Sequence, residues 1–171
     1  RIPSFEVRLN GPDRVPFDEP FRIELDAAYY AGGKVAGQSV EWSVGEGAWP
    51  ISPAAWPDYS FSTYLSVGGE YRDEGVSASE SEDVTDDDGT ATLSIDPRAA
   101  QSIQSRYYRI QASVRGADSQ TVSQTKTVLA LPPFSIGLKL PRFETGSMAV
   151  KPSIVVLDHQ EKVLAGKELT L

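Results

Sequence analysis

Apolar and polar side chains alternate with period two along most of this chain, the pattern of strands with one buried face. The clearest stretch is residues 21–44. Phe21, Ile23, Leu25 and Ala27 alternate with Arg22, Glu24 and Asp26; further on, Val40, Trp42 and Val44 alternate with Glu41 and Ser43. Between them Ala31-Gly32-Gly33-Lys34 breaks the alternation. Glycine accepts the positive φ of a tight turn, so the stretch predicts a hairpin. Two strands cannot bury an apolar face alone, and a second sheet is expected over them. Trp42, on the apolar face with Val40 and Val44, is expected between the two sheets.

The same alternation marks the other strands. Phe5, Val7 and Leu9 form the first, ended by Gly11-Pro12-Asp13. From Gly45 to Trp56 the pattern dissolves into Gly, Pro and Ala, and Tyr59, Phe61 and Leu65 suggest a further strand. Residues 76–84 read as either an exposed strand or a loop, and residues 45–89 as the least ordered part of the domain. Thr85-Asp86-Asp87-Asp88-Gly89 is turn chemistry, since Asp side chains bond nearby amides and Gly89 supplies the permissive φ. Ala91, Leu93 and Ile95 alternate next. Asp96-Pro97 is the cap and first position of one short helix extending to Ser105. Tyr108 to Val114 and Thr121 to Leu131 are the last two strands, and Pro132-Pro133 is a stiff joint. The expectation is all-β: an antiparallel, seven-stranded, fibronectin- or Ig-like sandwich over residues 1–132.

Residues 133–171 repeat the opening. Phe134, Ile136, Leu138 and Leu140 alternate up to Pro141, residues 150–157 read as a strand, and Asp158-His159-Gln160-Glu161-Lys162 as its turn. Lys162-Val163-Leu164-Ala165-Gly166 echoes Lys34-Val35-Ala36-Gly37 with one residue inserted, and Leu169 and Leu171 would open the next strand. Phe5 to Gly37 and Phe134 to Gly166 span the same distance (37 − 5 = 166 − 134 = 32). The offset of 129 (134 − 5) is the mark of tandem β-domains, the second represented by its first strands. Half a sandwich is unstable alone, and Arg1 is not a start residue, so a longer or processed protein is expected.

Composition narrows the function classes. The net charge of −8 is concentrated in residues 70–88, where nine acids and one arginine give 1 − 9 = −8. An acidic chain without a basic stripe argues against nucleic acid and anionic lipid. With no cysteine there is no disulfide, thiolate metal site or cysteine nucleophile. No apolar run approaches the roughly 20 residues of a membrane-spanning helix.

Candidate chemistry is sparse. His159 is the single histidine and falls in a charged turn, without the placed partners of a general base or a Ser/His/Asp triad. The usual zinc ligand sets are absent. Glu80, Glu82, Asp83, Asp86, Asp87 and Asp88 form either a solvated segment or a weak calcium site, and they lack the EF-hand order. Spacing alone does not exclude paired carboxylates of the glycosidase kind. Trp49, Trp56, Tyr59, Phe61 and Tyr64 are either a sugar platform or aromatics that close the sandwich edge. No glycine-rich phosphate loop precedes a helix. No catalytic, metal or cofactor residue is assigned, and no enzymatic activity is expected.

The stretch Ala28-Tyr29-Tyr30-Ala31-Gly32-Gly33-Lys34-Val35-Ala36-Gly37-Gln38-Ser39-Val40-Glu41-Trp42 resembles the second-strand hairpin of macroglobulin-like domains in bacterial alpha-2-macroglobulins. Thr85-Asp86-Asp87-Asp88-Gly89-Thr90-Ala91 is similar to the Thr-Asp-x-x-Gly-x-Ala turn of those domains, and Phe134-Ser135-Ile136-Gly137-Leu138-Lys139 looks like the opening of the next one. The resemblance covers the whole chain. It implies a scaffold fragment of a broad-range endopeptidase inhibitor that traps proteases after bait cleavage, in many members with a Cys-x-Glu-Gln thioester that this cysteine-free chain cannot hold. It also implies a periplasmic protein, often a lipoprotein anchored to the inner membrane, whose partners are neighbouring domains of the same chain and the target proteases. Two alternatives stand beside it. One is a cell-surface Ig-like adhesin or carbohydrate-binding module; the other is an accessory domain of a glycosidase.

Overall fold

The computed structural model describes residues 2–61, 77–100, 104–141 and 151–166. Strands β1 (Phe5–Asn10), β3 (Phe21–Tyr29) and β6 (Thr90–Ile95) form an antiparallel sheet in the order β1-β3-β6. A five-stranded sheet combines β2 (Arg14–Pro16), β4 (Ser39–Ala48), β5 (Ser77–Val84), β7 (Arg106–Arg115) and β8 (Thr121–Leu131), in the order β2-β8-β7-β4-β5. Strands β9 (Phe134–Lys139) and β10 (Ser153–Asp158) pair antiparallel in a third sheet. Among the described residues no helix is long and apolar enough to cross a membrane.

The first two sheets make the sandwich. From the three-stranded sheet Phe5, Val7, Ile23, Leu25 and Ala27 face inward; from the five-stranded sheet Val40, Trp42, Ile110, Val114 and Val128 meet them. Trp42 is 1% exposed, as its place in the alternation requires, and its neighbours across the sheet are Ala112 and Ser81, both small enough to leave room for the indole. Edge-to-face rings close the core at Phe21–Tyr108 (5.6 Å) and Phe5–Tyr29 (6.1 Å).

The expected hairpin is not one. β3 and β4 lie in different sheets. Gly32 and Gly33, both at φ 98°, do turn the chain, but back onto its own strand: Ala28 bridges Lys34, and the Val35 amide donates to the Ala27 carbonyl at 3.0 Å. Val35 is then fully buried, and at Gly37 (φ 66°) the chain crosses to the second sheet. A glycine pair specifies a turn but not which strand receives the returning chain.

Thr85 pins that crossover. Its hydroxyl donates to the Val35 carbonyl at 2.6 Å and accepts the Gln38 amide at 2.9 Å. Its backbone bonds Gln38 and Gly37. Four residues later Gly89 (φ 73°) brings its carbonyl to the Ala27 amide, and a Cβ there would sit 2.5 Å from the Ala27 oxygen. One Thr-to-Gly turn therefore ties β3→β4 and β5→β6, two of the places where the chain changes sheets.

Three further departures from expectation appear, and residues 77–84 take the strand alternative. β4 continues to Ala48, past the point where the apolar alternation stops, because ten residues pair with β7. Residues 77–84 are a strand, paired with β4 from Ser39–Val84 to Glu46–Ser77, so the ordered part of residues 45–89 is larger than charge suggested; residues 62–76 lie outside the described set. Tyr59 and Phe61 form no strand, only a bridge from Ser60 to Leu138, and Leu65 lies outside the described residues. β2 was not anticipated: three residues with a proline carry no alternation, and its parallel register with β8 sits at a sheet edge, where proline is tolerated. Among the described residues the sandwich has eight strands, three facing five, against the seven expected. Asp96-Pro97 caps a 3-10 helix, Pro97–Ala100, with the Arg98 amide on the Asp96 carboxylate at 3.0 Å; residues 101–103 of the expected helix lie outside the described set.

Candidate functional site

The residues with candidate chemistry do not converge. The Asp86 carboxylate is taken up by its own turn, accepting the amides of Asp88 (3.0 Å) and Thr90 (2.8 Å) and the Thr90 hydroxyl (2.7 Å). The Thr90 hydroxyl and amide bonds hold its pKa below the ordinary carboxylate value. Glu80, Glu82 and Asp83 are exposed along β5, the edge of the five-stranded sheet, where charge opposes further strand addition. Glu82 stands opposite Glu41. Among the described residues no three acidic or histidine side chains gather as a metal-binding group. His159 lies in the turn after β10, and no hydroxyl among the described residues bonds its imidazole; its backbone carbonyl accepts Arg14 Nη1 at 2.8 Å.

That Arg14–His159 bond marks where the structure does bring distant residues together. Between the sandwich and the third sheet lies a cleft of about 390 Å³. Trp49, Ile51, Leu129, Leu131 and Leu157 supply its apolar walls, and Arg14, Asp158, His159 and Glu161 its polar residues. One side of the cleft is the segment that leaves β4. The Trp49 amide bonds the Ser105 carbonyl at 2.8 Å, and its ring meets Tyr107 edge-on at 6.5 Å. Pro53, Trp56 and Tyr59 then turn the chain through amide bonds of 3.0 and 3.2 Å, with the Trp56 and Tyr59 rings 5.3 Å apart. Residues 49–61 act as a strap that ends on β9. Ser60 and Leu138 exchange both backbone bonds, at 2.8 and 2.9 Å.

Beyond Ser60 the strap is sealed by apolar contact. Phe61, 9% exposed, packs with Val155 and Leu157, flanked by Ile51, Trp56 and Tyr59. Its ring lies over Gly137, where a Cβ would approach Phe61 Cζ to 2.5 Å. Lys139 completes the contact, 3.4 Å from the Asp58 carboxylate and 5.9 Å from the centre of the Tyr59 ring. The expected aromatic cluster is therefore divided. Trp49 stays with the first sandwich; Trp56, Tyr59 and Phe61 cover the third sheet instead of closing the edge of the first, and present no shared platform. Tyr64 lies outside the described residues.

Sequence reading missed Gly137, Val155 and Leu157. The signal was present in Ile154-Val155-Val156-Leu157, a continuous apolar run that puts apolar side chains on both faces of β10, beyond what simple alternation requires.

The third sheet also repeats the first in detail. β1–β3 pairs Phe5 with Tyr29 and Asn10 with Glu24; β9–β10 pairs Phe134 with Asp158 and Lys139 with Ser153, each partner displaced by 129 (134 − 5 = 158 − 29). The turns agree as well. Tyr29 and Asp158 donate to the carbonyls of Gly33 and Lys162, Val35 and Leu164 to those of Ala27 and Val156, and Ala28–Lys34 has its counterpart in Leu157–Val163. The offset holds through Gly37 and Gly166, at φ 66° and 71°, so the inserted residue expected in this stretch is not needed.

Neither a protein-family profile nor a curated protein matches the sequence. Solved structures match it in shape. The native conformation of Escherichia coli alpha-2-macroglobulin aligns over 93% of this chain, with a TM-score of 0.67 and 13% identity. The same protein activated by porcine elastase aligns over 92%, at 0.68 and 14%. Salmonella alpha-2-macroglobulin reacted with methylamine aligns over 95%, at 0.67 and 12%. The chain has a macroglobulin-like fold. It spans only 11%, 14% and 12% of those three chains, and at such identity the likeness speaks for the fold alone.

Proposed function

We propose that this chain is a scaffold segment of an alpha-2-macroglobulin-type endopeptidase inhibitor. Residues 1–132 form one macroglobulin-like sandwich and residues 133–171 the opening strands of the next. Its work is mechanical: it fixes the spacing and orientation of consecutive sandwiches in a protein that traps proteases after bait cleavage. The observation that carries this reading is the joint. A second copy of the β1–β3 register, 129 residues on, is fastened to the first sandwich by backbone bonds, an apolar strap and an ion pair. A module with its own binding chemistry would leave its aromatic side chains available; here Phe61 is buried in the joint. On this reading the segment has no enzymatic activity. Its partners are the neighbouring sandwiches and, for the whole protein, the target proteases, in the periplasm on a lipid anchor at the inner membrane.

The test compares the full-length gene product with this chain after incubation with several endoproteases. Full-length protein is expected to abolish activity on a large protein substrate while sparing activity on a small peptide, the signature of a caged protease. The isolated chain is expected to do neither. Trapping by the chain alone would overturn the scaffold role, and a full-length protein that leaves large-substrate activity intact would overturn the inhibitor reading.

A further inference from the structure

The 129-residue offset allows the outer faces of the two related sheets to be compared position by position. On β1–β3 the face turned away from the sandwich core carries Glu6, Arg8, Asp26 and Ala28. At the same positions β9–β10 carries Ser135, Gly137, Val155 and Leu157. Arginine has become glycine, aspartate valine and alanine leucine, while the backbone register is unchanged. The strap lies on this face of β9–β10.

The geometry points to a matching rule between consecutive sandwiches: the strap of one seats only on a following sheet with glycine at the position of Gly137 and aliphatic residues at those of Val155 and Leu157. Its partner is therefore the next sandwich of the same chain, and the β1–β3 outer face is built to refuse a strap of this kind. This stands on the geometry of the present chain, whether or not the whole protein traps proteases.

Three observations carry it. First, the Phe61 ring occupies the space of a missing side chain. A Cβ on residue 137 would meet Phe61 at 2.5 and 2.7 Å and Val155 at 2.9 Å, so even alanine displaces the ring. Second, the β1–β3 face holds charges paired in solvent. Arg8 bonds Glu6 at 2.6 Å with its side chain 70% exposed, and Lys34 reaches Asp26 at 3.5 Å. A strap laid there would strip water from both pairs, a desolvation penalty their attraction does not reliably recover. Third, the cation that meets Asp58 and Tyr59 is Lys139, and its counterpart is Asn10, which brings no charge. Steric space, apolar area and charge all change together between the two faces, each in the direction the strap requires.

The experiment transplants the refusing residues. Gly137→Arg with Val155→Asp gives β9–β10 the side chains that β1–β3 carries on the same register, and Phe61→Ala alters the strap alone. Amide hydrogen exchange is followed at Ser60 and Leu138, which report docking, at Leu164, which reports the β10 turn, and throughout β1–β8. Both variants are expected to lose protection at Ser60 and Leu138 while β1–β8 keep theirs. Loss of the Leu164 amide as well, in Phe61→Ala, is the same result in a stronger form, since that change replaces no residue of β9–β10 and acts on them only through the lost strap contact. Retained protection at Ser60 and Leu138 in either variant overturns the rule. No protease enters the measurement, so its failure is separate from failure of the inhibitor reading.

Discussion

β1–β3 and β9–β10 have the same register and the same turn bonds but different cover. The inner face of β1–β3 lies under the five-stranded sheet: Phe5, Leu25 and Ala27 are fully buried and Val7 is 3% exposed. On the corresponding face of β9–β10, Val156 is buried while Phe134, Ile136, Leu138 and Ile154 are exposed within this segment, Ile136 at 44%. The outer faces reverse the relation, with solvated charges on the first and the strap on the second. Register is thus a local property, set by alternation and by the turn. Burial is not local; it depends on what the rest of the chain lays over each face.

The largest way to break the comparison is to uncover the first sheet too. Trp42→Ala removes the largest fully buried side chain among the described residues, at a cost of about 3–5 kcal/mol. The indole nitrogen has no hydrogen-bond partner among the described residues, so the loss is one of packing. Because the strap leaves from β4, β9–β10 is expected to melt together with the sandwich. An unchanged denaturant midpoint would reject the role of Trp42. Thr85→Val comes next. It deprives the Gln38 amide and the Val35 carbonyl of a buried partner, at about 1–3 kcal/mol, and should loosen the crossover from β3 to β4. Exchange rates at Gln38 and Gly37 check it; protection equal to that of the parent chain would show the pin to be dispensable. A smaller effect comes from the matched pair Val7→Ala and Ile136→Ala. Val7 loses two buried methyl groups, at roughly 0.8 kcal/mol each plus a cavity term, about 2 kcal/mol in all. Ile136, partly in water already, should cost less than about 1 kcal/mol. Equal costs would mean that the two inner faces are covered alike.

Strands with clean alternation were legible in the sequence: β1, β3, β6, β7 and β8 lie where the apolar residues at every second position put them. The Thr85–Gly89 turn and the 129-residue repeat were legible too, because both are written in short local signals. Partners distant in sequence were not. β5 carries Glu80, Glu82 and Asp83 among serines, with no apolar alternation, and is held by backbone pairing at an edge, so its side chains say little about pairing. The glycine pair at 32 and 33 announced a turn but not the change of sheet behind it. Trp56, Tyr59 and Phe61 announced burial, but the face they bury lies on β9–β10, with Leu138 joined to Ser60 across 78 residues (138 − 60). The candidate site was the least legible part. Its key residue, Gly137, acts through a side chain it lacks.

The finest distinction between the two sheets lies in how their turns are made. After β3, Gly32 and Gly33 adopt φ 98° without strain. After β10 the corresponding residues are Glu161, at φ 63°, and Lys162, and the turn is held instead by Asp158, whose carboxylate accepts the amides of Gln160 at 2.8 Å and Lys162 at 2.9 Å. These amide bonds, Lys162 first, and the positive charges of His159 and Lys162 hold the Asp158 pKa below its ordinary value of 3.8. A carboxyl depressed in the folded state stabilises that state above its unfolded pKa and loses the contribution as pH falls through the folded value. Only the second turn should therefore respond to acid, in a window below 3.8. In a heteronuclear NMR titration the Gln160 and Lys162 amide shifts should follow one curve with its midpoint in that window. The Gly32 amide, which bonds the Tyr29 carbonyl at 3.0 Å, should stay flat through it. Asp158→Ala should abolish the titration at Gln160 and Lys162 and leave Gly32 unchanged. A midpoint at or above 3.8, or a Gly32 shift that tracks the same curve, would show that the two turns are not held by different chemistry.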